Sequence, residues 1–537
     1  MVLTGIAFTI GLVFYSPLVF LAGIVTTSAV GLVVVVSLVG GTSANSLFER
    51  RYSVQPSVVA PVAVTAVLLY GIWKLDALSP LSTVYATLTV VSVTVLLQFL
   101  LRHRDPSISH RFEIPLWPMV VLSPMVGGLV LTYWEAQTPV YIAGLLFLGL
   151  IYLLICAALL VPLAVVQKST HVRSPPLNEP FPTVSVLIPA YNEAGYVGPC
   201  IEAVLDSDYP DQRLEIVVVN DGSSDGTYEE AAQYRDRGVS VYHKSNGGKH
   251  SALNYGLLCS TGEYVVAIDA DSHVTPTAIT RLVRDLEAHP GAGAVAGNVK
   301  VTNRDNVVTW LQSLEYIVSI NTFRRMFGLL GSVPVIPGCL GGFRREALED
   351  VFGYDPDTVT EDYDVTVQLI KHGWRVKTSE ATVSTEAPFT WRDLYRQRLR
   401  WYQGSFQTMF KHVDVFADDR SRLLHRFVFP FTLLSSVFLP LVTLSVLILV
   451  PTWIRQGRVD EIATVLSLFF VLMVAIVGVA LTLEAETPRH LLYAPLAFTV
   501  YRVFLSAVVI RGLIAAVLDT DGDWQHVRRL AQERRTR

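Results

Sequence analysis

Residues 263–272 read Glu-Tyr-Val-Val-Ala-Ile-Asp-Ala-Asp-Ser, and the other motifs of the chain are organised around this stretch. Its apolar, β-prone residues predict a buried strand that ends in two carboxylates, Asp269 and Asp271. Because strand side chains alternate between faces, a flat strand would point both carboxylates to the same side. Two such oxygen ligands suit a divalent cation that keeps waters and takes phosphate oxygens as further ligands. Asp-x-Asp pairs also occur in solvated turns, so the meaning of this pair depends on the surrounding sequence.

Composition divides the chain into membrane and soluble parts. The 537 residues are 51% hydrophobic and 16% charged, whereas about a quarter of a globular chain is charged. The apolar excess lies in residues 1–166 and 427–516, and residues 167–426 have the mixed composition of a soluble domain. We therefore predict a domain at 167–426 between an N-terminal transmembrane block and a C-terminal transmembrane or interfacial block. A basic tail, residues 517–537, follows. The net charge of -4 gives no case for nucleic-acid binding.

The polarity of the loops predicts the orientation in the lipid bilayer. The N-terminal block is long enough for five or six helices of about 20 residues each. Its loops alternate between basic and nearly neutral, and the basic ones lead into the central domain. The positive-inside rule then predicts a multi-pass protein of the cell membrane with a cytoplasmic domain and tail. After the domain, 427–450 and 462–483 predict two spans. A cytoplasmic tail requires an even number of crossings, so 489–516 is predicted to be interfacial or re-entrant.

The four cysteines do not indicate a metal site. Cys156, Cys200, Cys259 and Cys339 are scattered and lack C-x-x-C spacing. The sequence therefore predicts neither a zinc site nor a disulfide framework, and it favours a reducing compartment for these thiols.

The central domain alternates between strand and helix patterns. Strands are predicted at 183–189, 214–219 and 239–242 and in the run ending at Asp269, with helices at 194–208, 226–236 and 249–260. This alternation predicts an α/β, doubly wound and mostly parallel sheet with ligands at the carboxyl ends of its strands.

Polar clusters follow the first three predicted strands. Pro-Ala-Tyr-Asn-Glu at 189–193 and Asn-Asp-Gly-Ser-Ser-Asp-Gly at 220–226 are also typical of turns and helix caps. Asn-Gly-Gly-Lys at 246–249 opens a helix, where backbone N–H groups and a lysine can hold a diphosphate. A single Gly-Gly-Lys is not a P-loop, so the cluster alone is a weak indication.

Three further clusters lie in the second half of the domain. The glycines of 338–345, Gly-Cys-Leu-Gly-Gly-Phe-Arg-Arg, allow a ligand to approach the backbone closely. Thr-Glu-Asp-Tyr-Asp at 360–364 opens a predicted helix, where acidic residues also serve as ordinary caps. Gln-Arg-Leu-Arg-Trp at 397–401 places permanent positive charge beside an aromatic ring, which is also typical of a patch facing lipid headgroups.

In this order, the clusters resemble those of a known family. Residues 181–410 are similar to the GT-A domain of family 2 glycosyltransferases, in the membrane-integrated, processive branch that makes hyaluronan, chitin, cellulose and poly-N-acetylglucosamine. The resemblance is carried by Asp221, Asp269-x-Asp271, 360–362 and 397–401. It covers a little under half of the chain.

The resemblance implies a donor site for a UDP-sugar. Asp221, with Tyr191 and Glu193 nearby, would hold the uracil. Asp271, helped by Asp269, would bind Mg²⁺ or Mn²⁺ on the diphosphate.

The resemblance also implies cationic residues beside the diphosphate, a general base and an acceptor site. Lys249 would offset charge as UDP leaves, and Arg398 and Arg400 would contact the pyrophosphate. Asp362 would deprotonate the acceptor hydroxyl for in-line attack that inverts the anomeric carbon. Trp401 would form a platform under the acceptor sugar. The acceptor residues are predicted to be Trp401, Gln397, Gly338 and Cys339.

Within the branch, the sequence favours a poly-N-acetylglucosamine or chitooligosaccharide type of synthase, with UDP-GlcNAc as donor. The favouring segments are Gly-Lys-His-Ser-Ala-Leu-Asn at 248–254, Thr-Glu-Asp-Tyr-Asp-Val-Thr at 360–366, and Gly404 soon after 397–401. The F-x-V-T-x-K segment of cellulose synthases is missing from the sequence, and the N-terminal block exceeds the two spans expected of similar synthases.

Three functions remain open from the sequence. The leading one is a processive, inverting enzyme that elongates a β-linked polysaccharide and passes it through its own spans. An alternative enzyme makes a single transfer to a polyprenyl phosphate or another lipid. A third possibility is a non-catalytic transport or scaffold protein, against which the intact acids at 221, 269, 271 and 362 argue.

Overall fold

The computed structural model describes residues 161–171, 175–416, 424–457 and 459–518. These residues belong to two compact units. One unit contains the described parts of 167–432 and 477–537, and the other contains those of 1–166 and 433–476. Residues 477–518, which the sequence assigns to the C-terminal membrane block, thus pack in the same unit as the central domain.

A mixed sheet forms the centre of the first unit. Within the described residues its eight strands are β1 Val184–Ala190, β2 Leu214–Asp221, β3 Val239–Lys244, β4 Tyr264–Ala267, β5 His273–Val274, β6 Ala292–Val301, β7 Gly341–Arg344 and β8 Arg375–Thr385. Their order across the sheet is β3-β2-β1-β4-β7-β6-β8-β5.

Helices connect these strands and continue beyond them. In chain order they are α1 Val161–His171, α2 Val197–Leu205, α3 Thr227–Ala232, α4 Lys249–Leu258, α5 Ala278–Glu287, α6 Val307–Glu315, α7 Phe323–Leu330, α8 Arg345–Asp350, α9 Glu361–Lys371, α10 Trp391–Lys411, α11 Phe429–Leu433, α12 Leu439–Arg455, α13 Val459–Leu483, α14 Ala494–Leu496 and α15 Arg502–Val517. A π-helical segment, Tyr316–Thr322, joins α6 to α7.

The parallel half of the sheet confirms the predicted strand and helix alternation. β1 pairs in parallel with β2 and β4, and β2 pairs in parallel with β3. Every residue of β1 and of β4 is buried, as expected of central strands covered on both faces. Their side chains join those of α2 and α5 in one apolar core. Each fully buried Val or Ile in it stabilises the fold by about 1.5–3 kcal/mol.

The other half of the sheet adds antiparallel pairings to the predicted, mostly parallel arrangement. β7 lies antiparallel between β4 and β6, whereas β6 pairs in parallel with β8. The sheet is therefore mixed. The predicted ligand loop at 338–345 contains this strand, which Gly341 begins and Arg344 ends.

The stretch around Asp269 also differs from its prediction. β4 ends at Ala267, two residues before the expected end. Asp269 to Ser272 then form a turn, in which the Ser272 N–H donates to the Asp269 carbonyl at 2.9 Å. The two carboxylates are thus presented by a turn and not by alternation along a flat strand.

Two described helical stretches have the length and apolar composition of membrane spans, namely Phe429–Thr452 and Pro488–Val517. This finding rests on length and composition alone. The second stretch coincides with the segment predicted to be interfacial, and that orientation stays a prediction. The spans predicted before residue 161, and the tail after residue 518, lie outside the described residues.

Candidate active site

A cavity of about 700 Å³ lies where residues following β1, β3 and β4 meet α9 and α10. Its size is typical of a site for a small-molecule ligand. Most of the site residues predicted from the sequence line it, namely Tyr191, Glu193, Lys249, Asp269, Asp271, Gly338, Cys339, Asp362, Gln397, Arg400 and Trp401. Asp221 and Arg398 are buried and do not line the cavity.

The turn after β4 brings two carboxylates to the cavity. Asp271 is buried and accepts a hydrogen bond from the Ser272 hydroxyl at 3.2 Å, whereas the Asp269 side chain is 33% exposed. Among the described residues, no group of three or more His, Cys, Asp or Glu side chains could hold a metal ion. Two carboxylates that line the cavity nevertheless fit a cation such as Mg²⁺, which takes one or two protein ligands and completes its shell with waters and substrate phosphates.

Lys249 links this turn to the start of α9. Its Nζ lies 2.7 Å from Asp269 Oδ1 and 2.9 Å from Glu361 Oε1. Burial disfavours the charged lysine, but the two carboxylates outweigh burial and raise the pKa of Lys249. The position depends on Gly248, whose φ of +89° favours glycine, and on Gly338, where a Cβ would lie 2.5 Å from Nζ.

Asp221 holds the loop that precedes Lys249. Its carboxylate accepts hydrogen bonds from the N–H groups of Gly247 at 3.1 Å and Gly248 at 2.8 Å, and Lys244 Nζ lies 2.5 Å from it. The side chain is only 1% exposed. This carboxylate therefore fixes the backbone from which α4 begins. Its predicted contact with the uracil of a UDP-sugar stays a prediction.

Asp362 lies in the first turn of α9, and a backbone N–H group of the neighbouring loop holds one of its carboxylate oxygens. The Gly338 N–H donates to Asp362 Oδ2 at 3.1 Å. Burial and the negative charge of Glu361 raise the pKa of Asp362 to about 6, against the opposing effect of Lys249. A carboxyl with this pKa is mostly ionised at neutral pH and still accepts a proton readily, as a general base must.

The two arginines of 397–401 have different surroundings. Residues two apart on a helix point to nearly opposite sides, and accordingly Arg400 lines the cavity while Arg398 is 1% exposed beneath it. Arg398 Nη2 lies 2.7 Å from Glu315 Oε2, and Nη1 donates to Gln397 Oε1 at 2.6 Å. The Arg398 guanidinium carbon lies 4.1 Å from the centroid of the Trp401 ring. Arg398 thus supports the ring of Trp401 through a cation–π contact.

Sequence reasoning missed the helical segment that faces Trp401. Tyr316 and Ile320 of the π-helical segment and Arg324 of α7 line the cavity. The Tyr316 and Trp401 ring centroids are 6.3 Å apart. The four-residue spacing of these side chains, with an arginine in a largely apolar helical run, is the signal that could have found them.

The segment around Tyr501 contacts the residues that support the Trp401 ring. The Tyr501 hydroxyl donates to Glu315 Oε2 at 2.5 Å, and the Trp391 and Phe504 ring centroids are 5.0 Å apart. At Gly512 of α15 a Cβ would lie 2.8 Å from Tyr402 Cβ, so α15 and α10 pack closely there. Tyr501, Glu315 and Arg398 therefore connect this segment to the Trp401 ring through adjacent contacts.

Comparison with known proteins gives a family match and curated relatives. Residues 185–352 match the sequence model described as glycosyl transferase family 2. A poly-β-1,6-N-acetyl-D-glucosamine synthase of Staphylococcus epidermidis is 31% identical over 257 residues, which are 47% of this chain and 61% of the relative. A synthase of the same name from Staphylococcus aureus strain MSSA476 is 30% identical over the same shares. The chain thus spans about 61% of the length of these relatives.

Among solved structures, a mannosyltransferase of Pyrobaculum calidifontis in complex with GDP-Man and Mn²⁺ is similar. It shares 22% sequence identity and a TM-score of 0.48, over 70% of this chain and all of the other. TarS of S. aureus is 17% identical with a TM-score of 0.33, over 48% of this chain and 43% of the other.

Proposed function

We propose that this chain, whose residues 185–352 match the model of glycosyl transferase family 2, is a member of that family and elongates a β-linked polysaccharide from a nucleotide-sugar donor. The observation that carries the proposal is the meeting of three groups in one cavity. These are the carboxylate turn at 269–271, the buried carboxyl of Asp362 and the ring of Trp401. They supply the three parts that sugar transfer needs: a diphosphate site, a base and an acceptor surface.

The donor in this proposal is a UDP-sugar, with UDP-GlcNAc favoured. Support comes from relatives that are named for a polymer of N-acetylglucosamine. Tyr191 and Glu193 would receive the nucleoside at the end of the cavity that follows β1. Arg400, rather than the buried Arg398, would contact the diphosphate.

Asp271 and Asp269 would hold a divalent cation, Mg²⁺ or Mn²⁺, against the diphosphate. When bound, such a cation offsets the negative charge that grows on the leaving UDP. Lys249 adds a positive charge beside Asp269, at a distance fixed by its two ion pairs. Asp271 is proposed as the direct ligand of the cation, helped by Asp269, which also pairs with Lys249.

Transfer would proceed by a single displacement. Asp362 removes the proton from the acceptor hydroxyl, and that oxygen attacks the anomeric carbon from the side opposite the diphosphate. The new carbon–oxygen bond forms as the bond to the diphosphate breaks, so UDP leaves with the bonding electrons and the anomeric configuration inverts. The proton remains on Asp362 until solvent removes it. The Gly338 N–H holds one oxygen of Asp362 during this step.

The acceptor would lie on the Trp401 ring. Aromatic faces bind sugar rings through apolar contact, and here Arg398 and Tyr316 fix the orientation of the platform. Gln397, Gly338 and Cys339 line the adjacent wall. A platform that holds the product end of the chain permits repeated transfer, which is the basis for proposing a processive enzyme.

The enzyme in this proposal is a multi-pass protein of the cell membrane with its active site in the cytoplasm. The two apolar helical stretches of the described residues support membrane association. Tyr501 of the second stretch donates to Glu315, which pairs with the Arg398 that supports the Trp401 ring, and this contact supports a position of the stretch beside the acceptor site. Such an arrangement fits delivery of the polymer toward the bilayer.

A donor screen tests the proposal. The purified full-length chain in lipid nanodiscs receives labelled UDP-GlcNAc, UDP-Glc or UDP-GlcA with Mg²⁺ or Mn²⁺, and the products are sized. We expect long polymer from UDP-GlcNAc. A single-sugar lipid product would replace the proposal by transfer to a lipid carrier, and absence of product from every donor would favour a non-catalytic protein.

A further inference from the structure

Arg324 is a cation of the cavity wall that the proposed mechanism does not use. It lies in the first turn of α7 and is partly buried. Its Nη1 donates to the carbonyl of Gly297 at 2.6 Å. Gly297 lies where the pairing of β6 with β8 shifts register. This backbone contact fixes one side of the guanidinium, and the side chain also lines the cavity.

Within the described residues, no carboxylate forms a direct ion pair with Arg324. Among the described residues that line the cavity, seven are Asp or Glu and three are Lys or Arg. Lys249 has two of those carboxylates within 2.9 Å. In the described part of the chain, by contrast, no ion pair within 4.0 Å joins Arg324 to a carboxylate. The negative charges of Glu484 and Asp362 act on this guanidinium, but no carboxylate of the described residues pairs with it directly.

Burying an unpaired guanidinium is costly, and a ligand can remove that cost. Burial lowers the pKa of Arg324 to about 10, so the side chain is still protonated at neutral pH. A charged group that is partly desolvated and lacks a counterion gains most from an oxyanion that arrives with the substrate.

The position of Arg324 points toward the reacting end of the cavity. Tyr316, Ile320 and Arg324 lie four residues apart along one face of the helical run, with Tyr316 against Trp401. The Gly297 N–H donates to the carbonyl of Leu340 at 3.0 Å, directly after the loop of Gly338 and Cys339. Arg324 is thus anchored beside the loop that holds Asp362.

We propose that Arg324 binds an oxyanion of the substrates, either the diphosphate of the donor or a carboxylate carried by a sugar. This inference rests on the proposed function for the identity of the substrates. The planar fork of N–H donors on the Arg324 guanidinium suits a phosphate and a carboxylate, since each presents two oxygens in one plane. In the first case Arg324 is a further donor-binding residue, and in the second it selects acidic sugars.

Equilibrium binding distinguishes these sources without requiring turnover. The full-length chain in nanodiscs is titrated with UDP in the presence of Mg²⁺, and separately with D-glucuronate, using D-glucose as the uncharged match. Arg324→Gln should weaken one of the two anions by about 10- to 100-fold, the value of one charge-assisted hydrogen bond. Loss of UDP affinity identifies the diphosphate, and loss of glucuronate affinity identifies the carboxylate.

Two variants control this experiment. Arg324→Lys keeps a cation and should restore a part of the lost affinity. Arg281→Gln removes a guanidinium that also donates to a strand carbonyl, that of Glu380 at 3.0 Å, outside the cavity, and should leave both affinities unchanged. Arg324→Gln protein that binds both anions within twofold of wild type would overturn the inference, as would a wild-type chain that binds neither. Failure of the donor screen with intact anion binding would instead overturn only the proposed function.

Discussion

Asp362→Asn should remove catalysis while leaving the donor bound. The amide oxygen of asparagine can still accept the Gly338 N–H, which donates to Oδ2 at 3.1 Å, so the loop keeps its anchor. The side chain can no longer take a proton at neutral pH. Loss of a positioned general base lowers a rate by about 10²- to 10⁴-fold, and we expect a fall of that size in initial transfer rate.

The transfer rate of the wild-type enzyme should also depend on pH, because it depends on the ionisation of Asp362. Burial raises the pKa of Asp362 to about 6, and the base works only when it is deprotonated. The rate should therefore be nearly constant above pH 7 and fall as the pH is lowered through 6. At pH 5 about one tenth of the molecules carry an ionised Asp362, so the rate should fall about tenfold.

Initial rates of labelled sugar transfer between pH 5 and pH 8, with UDP affinity measured alongside, test both expectations. Asp357→Asn is the matched control, because it removes one negative charge from the cavity rim at a side chain that is 67% exposed and 3.5 Å from Lys411. It should keep most of the activity. An Asp362→Asn enzyme within tenfold of the wild-type rate, or one that no longer binds UDP, would refute the assignment of the base.

Three further substitutions probe the acceptor platform and the lysine. Trp401→Ala should shorten products and raise the acceptor KM more than the donor Kd, and an equal loss of both would count against a platform role. Glu315→Gln should lower the Tm of the purified chain, because the buried Arg398, 2.7 Å away, loses its counterion at a cost of about 3 kcal/mol. An unchanged Tm would show that this ion pair does not stabilise the fold. Gly338→Ala should weaken donor binding about tenfold, because the new Cβ would lie 2.5 Å from Lys249 Nζ. Gly291→Ala is the control and should have no effect, because a Cβ there meets nothing within 4 Å. Equal donor affinities in the two variants would contradict the role of Lys249.

The parallel half of the sheet was predictable from the sequence, and the pairing of β1 with β2 and β4 and of β2 with β3 confirms it. β1 and β2 are runs of apolar, mostly β-branched residues, which give a strong strand signal. β6 and β7 were not predicted, since they are rich in Ala and Gly, which have low strand propensity. Tertiary packing explains the glycines: a Cβ at Gly293 would lie 2.8 Å from Trp374 Cβ, and one at Gly297 would lie 2.5 Å from a Leu340 methyl group.

The composition of the site was more predictable than its arrangement. Motif order indicated the side chains that line the cavity. It did not reveal that the Asp221 carboxylate accepts hydrogen bonds from the N–H groups of Gly247 and Gly248. The separate surroundings of Arg398 and Arg400 follow from helical geometry once α10 is known. Arg324 carries no motif, and only the fold brings α7 to the cavity wall.

The carboxylate turn at 269–271 is proposed to hold a metal-dependent donor site. Its most direct test measures sugar transfer from labelled UDP-GlcNAc by the wild-type chain and by Asp271→Asn, first with Mn²⁺ or Mg²⁺, then after chelation, then after the metal is restored. We expect chelation to lower the wild-type rate at least about 100-fold and added metal to restore it, because the charge on the leaving diphosphate would lose its counterion. Asp271→Asn should remain slow throughout. A wild-type rate that chelation leaves unchanged, or an Asp271→Asn enzyme as active as wild type, would rule out a metal-dependent donor site at this turn.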